Sequence, residues 1–212
     1  MSSNPTGTGL GELALDALRE IGNIGAGTAA TALSQMTGAP VDMGVPRVSV
    51  LAVEDIPAEV GGGEALVAAV FLAVHGDAPG HMLFITRVEA AHEIVAAVMG
   101  GMDAGDPDGP GGFGEMELSA LQEVGNILTG SYLGAMASLT GLRLEPSPPA
   151  VGIDLADALL GSALAEVAMV AGTALLIETS FGGHETESVG EFLYIPTPEA
   201  LSTVLARLGL AA

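Results

Sequence analysis

The hydrophobic pattern begins with a long helical period. Apolar residues recur every three or four positions from Leu10 to Met36, and the same period returns from Met116 to Leu139. Each stretch runs into a Thr-Gly pair, Thr37-Gly38 and Thr140-Gly141, so each is predicted to be one long helix closed by a C-terminal glycine cap. Behind each helix the pattern shortens into strand-like apolar runs. These are Arg47–Val53, Ala65–Val74 and His81–Thr86 in the first half, and Val151–Leu155, Val167–Glu178 and Glu191–Ile195 in the second. Residues 66–74 are apolar on both faces, as a covered central strand requires. Val88–Met99 and Pro198–Leu208 read as shorter helices, the second with proline in its first turn. The pattern predicts an α/β fold: a mostly antiparallel six-stranded sheet, three strands per half, with two long helices and shorter helices packed on it.

The two halves are related in sequence. Asp16-Ala-Leu-Arg-Glu-Ile-Gly-Asn-Ile-Gly-Ala-Gly27 aligns without a gap to Ser119-Ala-Leu-Gln-Glu-Val-Gly-Asn-Ile-Leu-Thr-Gly130, with seven of twelve positions identical. The offset of 103 holds from there to the strand beginning near Val48 and Val151, and becomes 110 where Gly80–Ala90 pairs with Gly190–Ala200. A unit this long is no solenoid repeat, so two copies about a pseudo-twofold axis are expected. Between them, residues 101–112 are dominated by Gly, Pro and Asp and read as an exposed connector with no regular element. The expected organisation is a flexible tail over 1–9 and a single domain over 10–212, built from repeats 10–100 and 113–212.

Composition narrows the function. Of 212 residues, 26 are acidic and five basic, for a formal net charge of −21; all five bases are arginine. A nucleic-acid binder needs cations to replace the counterions of phosphate, and an anionic membrane needs a basic surface, so neither partner is expected. The chain is nonetheless not an acidic disordered one, because hydrophobic residues make up 49%, charged ones 15%, and mean hydropathy is +0.54. No apolar run approaches the roughly 20 residues of a transmembrane helix, and the opening MSSNPTGTG lacks a secretory pattern, so a soluble cytoplasmic protein is expected. The acidic, lysine-free surface has two readings: adaptation to a high-salt, halophilic interior, or a field that steers a basic partner. With no cysteine, thiol chemistry and thiolate metal sites are excluded. Without lysine there is no Walker-type phosphate loop. The four histidines (His75, His81, His92, His184) lack metal-ligand spacing, and no metal is expected.

Candidate chemistry lies on the long helices. At 100° per residue, Glu20 and Asn23 fall within about 60° of each other on the arc that holds Asp16. Glu12 and Gly27 extend this stripe at its two ends. The opposite side carries Ala14, Leu18, Ile21, Thr28, Ala29, Ala32 and Met36 and is expected to be buried. The second helix repeats the stripe with Glu115, Ser119, Glu123, Asn126 and Gly130. A carboxylate and a carboxamide one turn apart provide an acceptor and a group that both donates and accepts. The following glycine flattens the helix surface at a propensity cost of about 1 kcal/mol. Such a face suits another protein lying directly on it.

The spacing carries a family resemblance. Asp16-x3-Glu20-x2-Asn23-x22-Pro46 and Ser119-x3-Glu123-x2-Asn126-x22-Pro149 both match D/S-x3-E-x2-N-x22-P, and the chain on this basis resembles the CheC/CheX/FliY family of chemotaxis phosphatases. Two motifs without motor-switch extensions resemble the CheC members most. The resemblance implies a CheC-like pseudo-twofold fold and hydrolysis of the aspartyl phosphate of a CheY-type response regulator. It implies that Asn23 and Asn126 orient the attacking water while Glu20 and Glu123 dock the receiver's lysine. Asp16, Ser119, Pro46 and Pro149 would shape the site, although for the prolines taken alone a simple turn before the next strand is the favoured reading. The protein would need no cofactor of its own, with Mg²⁺ supplied by the receiver, and CheD is the further partner implied. The alternative is a non-enzymatic adaptor that binds CheD or a motor-switch component.

Overall fold

A computed structural model describes residues 12–44, 47–59, 62–102, 105–165, 173–182 and 187–210. The chain runs through α1 (Glu12–Thr37), β1 (Asp42–Met43), β2 (Arg47–Ala52), α2 (Ile56–Glu59), β3 (Leu66–Gly76), β4 (Gly80–Arg87) and α3 (Val88–Val98). It then repeats the same order with α4 (Glu115–Thr140), β5 (Leu144–Pro146), β6 (Ala150–Leu155), α5 (Ala156–Ala165), β7 (Thr173–Gly182), β8 (Glu187–Pro196) and α6 (Pro198–Arg207). Gly38 and Gly141, each just past a long helix, adopt φ of 68° and 69°. Their N–H groups donate to the carbonyls of Ser34 and Ala137, the left-handed termination that the Thr-Gly pairs signal.

One antiparallel sheet runs through the molecule in the order β1/β2–β7–β8–β4–β3–β5/β6. It is six positions wide but has eight strand segments, because each edge is broken into two short pieces. The small segments β1 and β5 are not among the strands expected from the sequence. At the centre β4 pairs with β8 so that Leu83 faces Leu193, the residue 110 positions later, which is the offset of the sequence repeat in this region. The edges are exchanged between the halves. Strand β2 of the first half pairs with β7 of the second, and β6 of the second pairs with β3 of the first.

The sheet is covered on both faces. Leu18, Ile21, Ala29 and Leu33 of α1, with Leu121, Val124, Leu128 and Tyr132 of α4, pack with Val70, Phe84, Phe192 and Tyr194 of the sheet. Two glycines set the closeness of this layer. A Cβ on Gly25 of α1 would collide with the Tyr132 ring of α4, and one on Gly125 of α4 would stand 2.6 Å from Val70 of β3. Tyr132 in turn stacks on Phe192, with ring centroids 4.6 Å apart. On the other face Ile56 of α2, with Ala156 and Leu160 of α5, covers Val67, Leu83, Ile85, Leu193 and Ile195. The hydrophobic pattern did not reveal these two helices, since α2 has only four residues and α5 is apolar nearly all round, with no polar face to set its period.

Two further expectations change, and two others fall partly or wholly outside the described residues. On α1, Thr28 and Met36 are exposed and Ala32 is half-buried, whereas Gly22, Gly25, Ala26 and Leu33 are buried. A wheel drawn for one flat neighbour misses this, because Gly25 lets α1 settle sideways onto Tyr132 and burial follows that contact. The connector contains a 3₁₀ turn at Pro110–Gly112, with Gly111 at φ 63°, rather than no regular element. The strand expected at Val167–Glu178 is described from Thr173 onward as part of β7, its first six residues lying outside the described ones. The proposed tail at 1–9 also lies outside them.

Candidate functional site

Both motif stripes face solvent. On α1, Asp16, Glu20, Asn23 and Gly27 are exposed, and on α4 Glu115, Ser119, Glu123, Asn126 and Gly130 are exposed. The helix places them there because the residues between them, Leu18 and Ile21 on one and Leu121 and Val124 on the other, are drawn into the core. Each Glu and Asn are separated by about 4.5 Å of helix rise, so one partner can meet both. A Cβ on Gly27 or Gly130 would touch nothing within 4 Å. These glycines therefore keep the outer surface low, in contrast to Gly25 and Gly125, which serve packing. Glu12 begins α1, its side chain being outside the described residues, as is Pro46.

The surroundings of the two stripes differ. On α1 the Arg19 guanidinium meets the Asp16 carboxylate at 2.7 Å, with both side chains more than half exposed. On α4 the corresponding positions are Gln122 and Ser119. There the Gln122 amide donates to the Pro149 carbonyl at 3.0 Å, tying the loop before β6 to the residue next to Glu123. Pro149 thus stands beside the second stripe despite its distance in sequence. The sequence reading missed the Arg19 and Gln122 links, since both residues are ordinary on a helix surface. From Asn23 an open groove of about 530 Å³ continues along α1, lined by Ile24, Gly27, Thr28, Thr31, Ala32 and Gln35. The Thr28 and Thr31 hydroxyls donate to the carbonyls of Ile24 and Gly27 within the helix.

Among the described residues no three His, Cys, Asp or Glu side chains gather into a metal-binding group. His92 Nε2 instead lies 2.9 Å from the Gly111 carbonyl, its ring stacked on Phe113 at 3.8 Å. His81 stacks on Phe71, and His184 lies outside the described residues. No described helix is long and apolar enough to cross a membrane. Away from the stripes, burial raises the Glu191 carboxyl from 4.5 to about 7, helped by the charge of Glu178 on the neighbouring strand and of Glu59, and opposed by Arg87.

Chemically, each stripe offers a carboxylate for a cation and an amide for a water or phosphoryl oxygen, on a flat and accessible helix.

Comparison with known proteins bears on the family of the chain. The CheC-like family model matches twice, at residues 13–50 and 116–153, each span opening with a motif helix. The CheY-P phosphatase CheC of Bacillus subtilis is 36% identical over 205 residues, covering 95% of this chain and 96% of that protein. The CheC1 protein of Halobacterium salinarum is 32% identical over 160 residues, covering 74% of this chain and 79% of its own. Among solved structures, Thermotoga maritima FliY superposes with a TM-score of 0.75 at 21% identity, covering 95% and 98% of the two chains, a likeness of fold. With a full-length relative at this identity and the family pattern present twice, the chain belongs to the CheC-like family.

Proposed function

We propose that the protein is a phosphatase of chemotaxis signalling that hydrolyses the aspartyl phosphate of a CheY-type response regulator. The observation that carries the reading is the outward Glu–Asn pair on two helices of a chain belonging to the CheC-like family. The receiver docks on a stripe, with its active-site lysine against Glu20 or Glu123. The carboxamide of Asn23 or Asn126 then lies beside the phosphoryl group and holds a water in line with the bond to be broken. Water oxygen bonds to phosphorus, the P–O bond to the receiver's aspartate breaks, and its electron pair stays on the carboxylate. Phosphoryl transfer of this kind is accelerated mainly by position and by stabilised charge, which an amide on a fixed helix can supply. The receiver brings its own Mg²⁺, so the phosphatase needs no metal. Two pseudo-symmetric sites work on this plan, and a CheD-type protein in the cytoplasm is a further partner.

The test is decay of a phosphorylated CheY-type receiver in Mg²⁺ with and without catalytic amounts of the protein. The reading predicts multiple turnovers and faster loss of phosphate. Binding of the receiver with no change in its decay rate would instead identify a non-enzymatic adaptor.

A further inference from the structure

The large apolar side chains left exposed on the motif helices recur at equivalent positions of the two repeats. Leu13 is 75% exposed and Met116, 103 residues later, is 61% exposed. Singly exposed apolar residues are normal on a surface. This pair is unusual because it keeps an apolar character in both copies while the neighbouring stripe residues have changed, Asp16 to Ser119 and Arg19 to Gln122. Each of the pair also lies on the functional stripe. Leu13 is seven residues before Glu20, two turns along nearly the same helical direction, and Met116 is seven before Glu123. Between them on the stripe stand the exposed Asp16 or Ser119 and the small, half-buried Ala17 or Ala120. One turn past each Glu, Ile24 is 36% exposed and Ile127 half-buried. Each docking carboxylate is therefore bracketed by apolar side chains, the outer one standing clear of the protein.

We propose that Leu13 and Met116 are docking residues for the receiver, each seating in an apolar part of its surface about 10 Å along the helix from the lysine that meets Glu20 or Glu123. The inference rests on the phosphatase reading and extends it. The occupant follows from continuity: any receiver lying on Glu20 and Asn23 extends over the next two turns of the same exposed face. The division of labour is physical. An exposed carboxylate steers a cationic partner but contributes little net affinity in water, whereas burying a Leu or Met side chain on association slows dissociation. These residues act on binding, far from the reacting phosphorus, so they are positioning residues.

The experiment compares wild type with L13S/M116S, and with M36S/L139S as control. Met36 and Leu139 are a second exposed equivalent pair, 36% and 40% exposed, near the opposite helix ends and about 20 Å of helix beyond the asparagines. Binding is titrated with a CheY-type receiver carrying Mg²⁺ and beryllofluoride, an unreactive phosphoryl mimic, and phosphatase kinetics are followed with the phosphorylated receiver. L13S/M116S is expected to raise Kd and KM about tenfold, with kcat within twofold of wild type and an unchanged Tm. M36S/L139S is expected to leave Kd and KM alone. A Kd within twofold of wild type, or a fall in kcat alone, overturns the proposal. So does loss of a self-association that leaves receiver affinity intact. If wild type binds the loaded receiver without speeding phosphate loss, the phosphatase reading fails while the docking proposal is still judged on Kd. If wild type does not bind it, both fall.

Discussion

At the scale of single residues, Glu191 shows how position decides chemistry. It lies opposite Glu178 on the adjacent strand, and burial and that charge raise it to about 7, while the Glu178 carboxylate is itself 3.5 Å from the Arg47 guanidinium. A carboxyl raised on folding is still protonated in the folded protein where the unfolded chain has already ionised. Its contribution to stability is therefore fully present below about 4.5 and is lost as pH rises to about 7. Glu191→Gln should gain on wild type across this window, by on the order of 1–3 kcal/mol at pH 8, with little difference near pH 4.5. Urea unfolding at a series of pH values measures it, and a constant difference across the range would contradict it. Nothing in the sequence marks Glu191, because its setting depends on a partner strand. Glu20, Asn23, Glu123 and Asn126 were legible because their spacing on a helix sets their direction, and the exposed face expected of them is the one observed. The docking pair Leu13 and Met116 was not legible, since an apolar residue at a helix start reads as core until its exposure is known.

At the scale of elements, the long helices carry glycines of two kinds. Gly25 and Gly125 allow close approach of helix to helix and helix to sheet, and Gly27 and Gly130 face open space. Alanine at 25 or 125 should destabilise by about 1–3 kcal/mol through overpacking. Alanine at 27 and 130 should stabilise by up to about 1 kcal/mol each, since a helix prefers Ala to Gly. The latter variants should nevertheless lose several-fold in kcat/KM, because each methyl group stands on the docking surface. Thermal melts and phosphatase kinetics on the four variants separate these effects. A rise in Tm with full activity would remove Gly27 and Gly130 from the docking face. Helix boundaries were read to within two residues, because period and cap agree there. The buried side of α1 was read less well beyond Ile21, where the neighbouring helix turns the contact.

The exchanged edges are a property of the whole molecule, and no local pattern reports them. Periodicity tells that residues 47–52 form a strand, not that the strand completes the other half's sheet. The consequence is that neither repeat holds all its pairings. A fragment ending at residue 102 has β2 without β7, and β3 without β6. It should be unfolded as a monomer or should assemble as a dimer that restores both pairings, and sedimentation with circular dichroism distinguishes these from a folded monomer, which would contradict the account. The net charge of −21 also belongs to this scale, and it identifies no partner. Its local expression is sharper: acidic side chains line both exposed stripes, and Arg19 is the single cation among the described residues of the two motif helices.

The central claim is that the two asparagines position the water that releases phosphate, and replacing them tests it most directly. Phosphate loss from a phosphorylated CheY-type receiver should be followed with wild type, Asn23→Ala, Asn126→Ala and the double variant. The account predicts that each single variant keeps part of the activity, while the double variant falls by at least about a hundredfold and still binds the receiver, as loss of a positioning group would produce. A double variant as active as wild type would contradict it.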